Sequence, residues 1–400
     1  MAAKKWMKFR HRVVTRLLYM ILKPYSYIKY GIKVEKFKEQ GGRQYLVVFN
    51  HQTAFDQFFV GMAFKGPIYY LASEDLFSNG WVSDLIRWLI APIPIRKQTT
   101  DVAAVKNCIR VAREGGTIAL APEGNRTYDG KPVHINPAIA PLAKKLGLPI
   151  AIFRIEGGYG VHPRWSDVVR RGKMRGLVSC VIEPESFKDM SDSDLFALIK
   201  DEIDVKENNV SGEFHHKNNA EYLERAIYVC PDCGLSSFES RRDIIECKKC
   251  GKKVRHLPTK ELEGVNCEFP FHFVSDWYDY QCNFVNSLNI LGFTDVPLYR
   301  DRAAISEVIV YERKNKLCED AQITLYGDRI IIEGDYPLEL HFNDVSALTV
   351  LGRNKLNIYI NKKLYQLKSD KRFNALKYVN IFYRYKNLTK ENVDGKFLGL

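Results

Sequence analysis

The stretch Tyr45-Leu-Val-Val-Phe-Asn-His-Gln-Thr-Ala-Phe-Asp56 carries the reading of the fold. Five apolar residues in a row suit a strand buried on both faces, and Asn50 and His51 end it in polar groups. In α/β sheets the ends of such strands hold the groups that meet ligands. His51 and the acid five residues on, Asp56, then have two readings. One is an imidazole base with the carboxylate that steers it. The other is a polar turn closing a strand, with Asp56 as an acid at a helix N-terminus.

Working outward, residues 43–185 alternate between strand and helix patterns. Strands are expected at 45–50, 67–72, 117–121, 149–155 and 177–183, and helices near 55–64, 80–91, 101–113 and 138–146. This alternation predicts an α/β layer with a largely parallel sheet and flanking helices. Two parallel strands of one sheet end at the same edge. Thr117-Ile-Ala-Leu-Ala121 runs into Pro-Glu-Gly-Asn-Arg-Thr, so Glu123, Gly124 and Arg126 are expected beside His51. Glycine permits close backbone approach there, and arginine offers a fork suited to phosphate. A second His-x4-Asp, His162 to Asp167, lies in a Pro/Gly-rich stretch and is read as chance.

The net charge of +13 is uneven. Residues 1–40 hold eleven Lys/Arg against Glu35 and Glu39. Phe9, Val13, Leu17, Met20 and Ile21 fall on one side of a helix, and Lys8, Arg12, Arg16 and Lys23 on the other. That pattern suits basic amphipathic helices on an anionic membrane surface, with Trp6 as an anchor; a docking helix with a solvated basic face is the alternative. No uncharged apolar stretch approaches the roughly 18–20 residues that span a bilayer, and no secretion signal is evident. Nine cysteines, an odd number, argue for a reducing compartment. The expected location is the cytoplasmic face of a membrane, peripheral or monotopic.

Cys230-Pro-Asp-Cys233 and Cys247-Lys-Lys-Cys250 stand thirteen residues apart. Two such knuckles supply the tetrahedral thiolate set of a structural Zn²⁺, with no open position for catalysis. The intervening residues hold two arginines and one aromatic, so no nucleic-acid partner is expected. The expected order is amphipathic helices at 1–40, an α/β domain at 41–190, helix and linker at 191–225, zinc ribbon at 226–258 and connector at 259–302. Residues 303–390 alternate at period two and close with a helix. In strand order they resemble a pleckstrin-homology-like β domain.

The blocks Asn50-His51-x4-Asp56 and Pro122-Glu-Gly-Asn-Arg-Thr127 together resemble the glycerolipid acyltransferases, most closely the 1-acylglycerol-3-phosphate (lysophosphatidic acid) acyltransferases, whose forms are NHxS-x2-D and EGTRS. The likeness covers roughly residues 10–185. It implies His51 as general base, Asp56 as its orienting carboxylate, and Glu123, Gly124 and Arg126 at the acceptor phosphate. Arg96, in Ile-Ala-Pro-Ile-Pro-Ile-Arg, matches the arginine of the family's second block, with a structural ion pair as its other reading. Ile95 departs from the Asp or Asn common before that arginine. The resemblance further implies acyl-CoA or acyl-carrier-protein as donor, a lysophospholipid acceptor and phosphatidic acid as product. Another acceptor, such as glycerol 3-phosphate, and a noncatalytic lipid- or protein-binding scaffold stay open as alternatives.

Overall fold

A computed structural model describes residues 5–95, 101–309, 312–389 and 395–399. The described residues form two compact units. The first comprises the chain to Pro163 together with Val169–Phe214; the second comprises Arg164–Val168, His215–Ile309 and the chain from Arg313.

In the first unit the elements run α1 (Phe9–Tyr30), β1 (Ile32–Val34), β2 (Leu46–Phe49), α2 (Asp56–Ala63), β3 (Ile68–Ser73), α3 (Trp81–Ile90), β4 (Ile93–Ile95), α4 (Val102–Arg113) and β5 (Thr117–Leu120). They continue as α5 (Ile139–Leu146), β6 (Ile150–Glu156), α6 (Gly158–Val161), β7 (Met174–Ile182), α7 (Pro184–Phe187) and α8 (Asp192–Ile203). One seven-stranded sheet results, in the order β1-β7-β6-β2-β5-β3-β4. Only the β6–β7 pair is antiparallel. The largely parallel sheet with flanking helices is therefore as expected from the alternation. The five expected strands and four expected helices all form, and most boundaries fall within two residues.

The apolar run of β2 is continuous because both faces are covered. Leu46 and Val48 join Ile118, Ile150 and Ile152 in one core, closed by residues of α4, α5 and α8. Tyr45, Val47 and Phe49 join Ala119, Ala151 and Phe153 in the other, closed by α2 and the end of α1. The chain leaves β2 toward β3 on one side, while β5 leads to β6 on the other side of β2. In sheets of this kind the carboxyl ends of the strands are where ligands are met.

Several sequence expectations change here. Among the described residues up to position 40, Lys38–Gln40 form a 3-10 turn, and the amphipathic pattern belongs to one long α-helix, α1. It stops at Gly31, a left-handed residue (φ +60°) whose N–H caps Tyr27, and β1 follows, pairing parallel with β7. Trp6 is no surface anchor, since its indole donates to the Ala91 carbonyl at 3.0 Å and it packs on the first core. Exposed tryptophans are instead Trp81 and Trp88 of α3, beside the exposed Phe9, Leu17, Met20 and Ile21 of α1. Arg10 links the two helices, donating to the Trp88 carbonyl at 2.8 Å with its guanidinium over that ring. Among the described residues, no helix is long and apolar enough to cross a membrane.

The segment 191–225, read as helix and linker, is divided. Leu195, Ile199 and Ile203 of α8 are buried in the first core, and Phe214 in the second. The first unit thus runs to Phe214, because a short apolar stripe among acids still has a core to cover.

The second unit begins with the hairpin β8 (Val229–Cys230) and β9 (Gly234–Leu235), then the antiparallel sheet β10 (Phe238–Arg241), β11 (Ile244–Cys247), β12 (Lys253–His256) and β13 (Leu262–Gly264). The expected connector at 259–302 supplies β13 and the helix α9 (Val274–Ser287). The Trp277 indole of that helix donates to Val229 O at 2.8 Å, and Gln281 accepts from Tyr228 N at 2.7 Å. These residues pack on the cysteine hairpin and do not merely span a gap. Then come β14 (Tyr299–Ile309), β15 (Arg313–Leu325), β16 (Arg329–Glu333), β17 (Leu338–His341), β18 (Val345–Leu351), β19 (Lys355–Ile360), β20 (Lys363–Lys368) and α10 (Leu376–Thr389). They form a β-rich domain ordered β17-β16-β15-β14-β20-β19-β18, ending in a helix.

Candidate active site and metal centre

The parallel pairing of β2 and β5 sets Val48 opposite Leu120. The same offset of 72 residues carries on past the strand ends and sets His51 beside Glu123. Contact is direct: the His51 N–H donates to Glu123 Oε1 at 3.3 Å. The Thr127 N–H donates back to the His51 carbonyl at 3.2 Å. The two sequence blocks are thus stitched together at one sheet edge.

On the other side, Asn50 extends the sheet with its side chain. Its amide donates to the Ile155 carbonyl and its oxygen accepts from the Ile155 N–H, both at 2.8 Å. Gln52, buried, accepts from Tyr159 N at 3.2 Å. The histidine turn is therefore fixed from both neighbouring strands.

Asp56 opens α2 and is fully buried. A carboxylate there must be satisfied by donors, and four supply it. His51 Nδ1 lies 2.8 Å from Oδ2, and Gln52 N donates to the same oxygen at 2.6 Å. Thr53 adds its N–H at 2.9 Å and its hydroxyl, to Oδ1, at 2.6 Å. This network assigns the imidazole proton to Nδ1, since a carboxylate can only accept. Nε2 is then left with a lone pair. The His51 side chain is 25% exposed while Asp56 is closed off. A base held this way can act on a ligand at this sheet edge, and its closed-off carboxylate cannot reach that ligand.

Glu123 is buried, and that burial, with smaller contributions from Asp56 and Asp204, drives its carboxyl well above the usual range. The His51 N–H opposes the shift. Structurally it holds the histidine main chain. Gly124 has φ +64° with open space where a Cβ would stand, so a side chain there would be strained and would cover the turn. Arg126 is buried in the same turn. Arg96 lies outside the described residues. His162 and Asp167 have separate surroundings. The His162 ring packs on Tyr30, whereas Asp167 pairs with Arg225 at 2.7 Å and Arg353 at 3.1 Å.

Sequence reasoning marked Asn50 and Thr53 only as short polar residues. Their roles as sheet extension and carboxylate clamp needed coordinates. Asp204, just after α8, had no signal, being 81 residues beyond Glu123.

In the second unit, the sulfurs of Cys230, Cys233, Cys247 and Cys250 lie within 4.8 Å of one another and could hold a metal ion. Cys230–Cys250 and Cys233–Cys247 are each 3.6 Å apart. A tetrahedron with metal–sulfur bonds of about 2.3 Å has edges of about 3.8 Å, so the set fits. Backbone N–H groups of Asp232 and Cys233 point at Cys230, and those of Lys249 and Cys250 at Cys247. Gly234 and Gly251, at φ +71° and +78°, let each loop turn back after its second cysteine.

Residues 31–155, which include both blocks, match the family model described as Acyltransferase. The chain is 21% identical over 140 residues to a 1-acyl-sn-glycerol-3-phosphate acyltransferase of Bacillus subtilis, covering 35% of this chain and 66% of that protein. It is also 21% identical over 178 residues to the chloroplastic 1-acyl-sn-glycerol-3-phosphate acyltransferase BAT2 of Brassica napus, covering 43% of this chain and 49% of the relative. The chain thus spans two thirds or less of the length of these curated relatives. Among solved structures, the 1-acyl-sn-glycerophosphate (LPA) acyltransferase PlsC of Thermotoga maritima aligns at 23% identity. That alignment has a TM-score of 0.40 and covers 49% of this chain and 80% of that one.

Proposed function

We propose that this chain, whose residues 31–155 match the acyltransferase family model, moves a fatty acyl group from acyl-CoA or acyl-carrier-protein to the sn-2 hydroxyl of 1-acylglycerol-3-phosphate, giving phosphatidic acid. The observation that carries the reading is the His51–Asp56 pair, 2.8 Å apart and backed by three further donors, at the strand end stitched to the Glu123–Thr127 turn.

In this reading, His51 Nε2 takes the proton of the acceptor hydroxyl as its oxygen attacks the thioester carbonyl. Asp56 stabilises the imidazolium that forms and keeps the proton on Nδ1, as in hydrolase triads, but the nucleophile is the substrate. When the tetrahedral intermediate collapses, the C–S bond breaks and His51 returns the proton to the departing thiolate. No side chain of the enzyme carries the acyl group. Arg126 grips the acceptor phosphate, with the Gly124 turn leaving room for it. Glu123, pushed toward its neutral form by burial, adds little repulsion toward that phosphate while holding the His51 main chain. Arg96 is a second candidate for the phosphate.

The exposed apolar residues of α1 and α3, flanked by Lys8, Arg12, Arg16 and Lys23, support a chain lying in the interface of an anionic membrane at its cytoplasmic face. The four cysteines are read as a structural zinc site, on their thiolate chemistry and spacing. The terminal β domain is read as pleckstrin-homology-like on its strand order and closing helix. Incubating the purified protein with a panel of lysolipids and each donor, and identifying products by mass, tests the reading. Phosphatidic acid is the expected product. Product only from another lysolipid would move the acceptor assignment, and no product from any pair would favour a noncatalytic scaffold.

A further inference from the structure

At the other end of α2 from His51 and Asp56 lies a second feature of the first unit. A cavity of about 460 Å³ is bounded by Lys23, Tyr27, Ile32, Lys33, Lys36 and Met62, among others. Its lining holds three lysines and no acid. The nearby Glu35 is engaged with Arg175 at 2.8 Å. Among the described residues, Lys23 and Lys33 make no ion pair, and Lys36 donates to the Met62 carbonyl. Burial, then the charges of Lys23 and Lys65, pull the Lys36 ammonium below its usual range. Three like charges around one cavity repel each other, and an anion between them would relieve that cost.

Position narrows the anion. At about 100° per residue, Tyr27 falls in line with Phe9 and Met20, and Lys23 with Arg12 and Arg16. The cavity therefore sits where the exposed apolar stripe of α1 meets its basic row, which for a helix lying in an interface is the level of the headgroups. Its remaining walls are apolar, suiting the glycerol and first methylenes below a headgroup. The helix α2 rises about 9 Å between Asp56 and Met62, too far for a phosphate here to belong to a glycerol phosphate whose hydroxyl is held at His51.

We propose that this cavity holds the phosphate headgroup of an anionic bilayer lipid that is not the substrate, fixing the height and rotation of α1 in the interface. The proposal rests on the reading that the chain works at a lipid surface. The test is amine-reactive labelling of the wild-type full chain, with sites mapped by mass. It is run alone, with phosphatidylcholine vesicles, with vesicles also containing phosphatidylglycerol, and with inorganic phosphate at matched ionic strength. Sedimentation gives vesicle affinity in parallel.

Lys23 and Lys33 should be protected by anionic vesicles several-fold more than Lys38, a neighbouring exposed lysine outside the cavity. The Lys23→Gln/Lys33→Gln protein should bind those vesicles about 25-fold more weakly, at about 5-fold per lysine. Equal protection of Lys38 would replace the cavity by a diffuse basic patch. Protection by inorganic phosphate without lipid would make it a soluble-anion site. Either result overturns the proposal and leaves the membrane reading standing. Failure of the wild type to bind any vesicle sinks the membrane reading itself. His51→Ala protein binding as tightly as wild type would show that neither result depends on turnover.

Discussion

Replacing Asp56 by asparagine separates a steering carboxylate from a helix-end acid. The amide oxygen can take the place of Oδ2, keeping the donors from His51, Gln52 and Thr53 N. The amide NH₂ then falls at Oδ1, where the Thr53 hydroxyl can turn and accept. Packing and hydrogen-bond count survive, and only the charge is lost. Charge-assisted bonds exceed neutral ones by about 1 kcal/mol each, so losing the charge behind four of them should lower stability by about 4 kcal/mol, a large part of what a folded protein has. Turnover should suffer as well, because the imidazolium formed during proton transfer loses its counter-charge. General-base catalysis is worth about 10²–10⁴, so kcat should fall by about 10³, or about 4 kcal/mol. KM should move less than about threefold, since the fully buried Asp56 touches no substrate. The assay is thiol release from acyl-CoA in the presence of lysophosphatidic acid, with Tm measured on the same preparations. In a His51→Ala background the same change should cost almost nothing more. Activity within fivefold of wild type, or a full further loss without His51, would refute the steering role.

Glu123→Gln keeps an acceptor for the His51 N–H and removes a buried acid whose carboxyl is held above its usual range. A raised acid stabilises the fold fully below the ordinary glutamate value, 4.5, and that contribution fades as pH rises toward the folded value. The variant should therefore match wild type near pH 4 and exceed it in Tm at pH 8; a variant less stable at pH 8 would contradict this. Asn50→Ala removes both bonds to Ile155 and strands a buried N–H and C=O, so urea denaturation should register a loss of about 2–4 kcal/mol. Elemental analysis should find one zinc per chain. Cys247→Ser should abolish it and lower hydrogen-exchange protection around β8–β11, while β2 and β5 stay protected.

How much of this was legible in the sequence depends on the period of each pattern. The helices α2, α4 and α5 and strands β2, β3, β5, β6 and β7 were visible because each buries a run long enough to show its spacing, while α3, which buries only Ser83, showed through the helical spacing of its exposed apolar residues. The edge strands β1 and β4 have three residues each, too few to display any. The helix α9 was hidden because its buried Val274, Trp277, Gln281 and Val285 include a glutamine spent on backbone bonds. At the site, chemistry-bearing residues could be named because two strands in register bring two blocks to one edge. What holds them could not. Asn50 acts through the backbone of Ile155, and Asp204 reaches Glu123 only through the course of α8.

The central claim, that one imidazole removes the acceptor's proton, is tested most directly by acyl transfer to lysophosphatidic acid with His51→Ala protein of wild-type Tm. The account predicts that product formation falls by about 10³ or more at saturating substrates. Equal rates for the two proteins would contradict it.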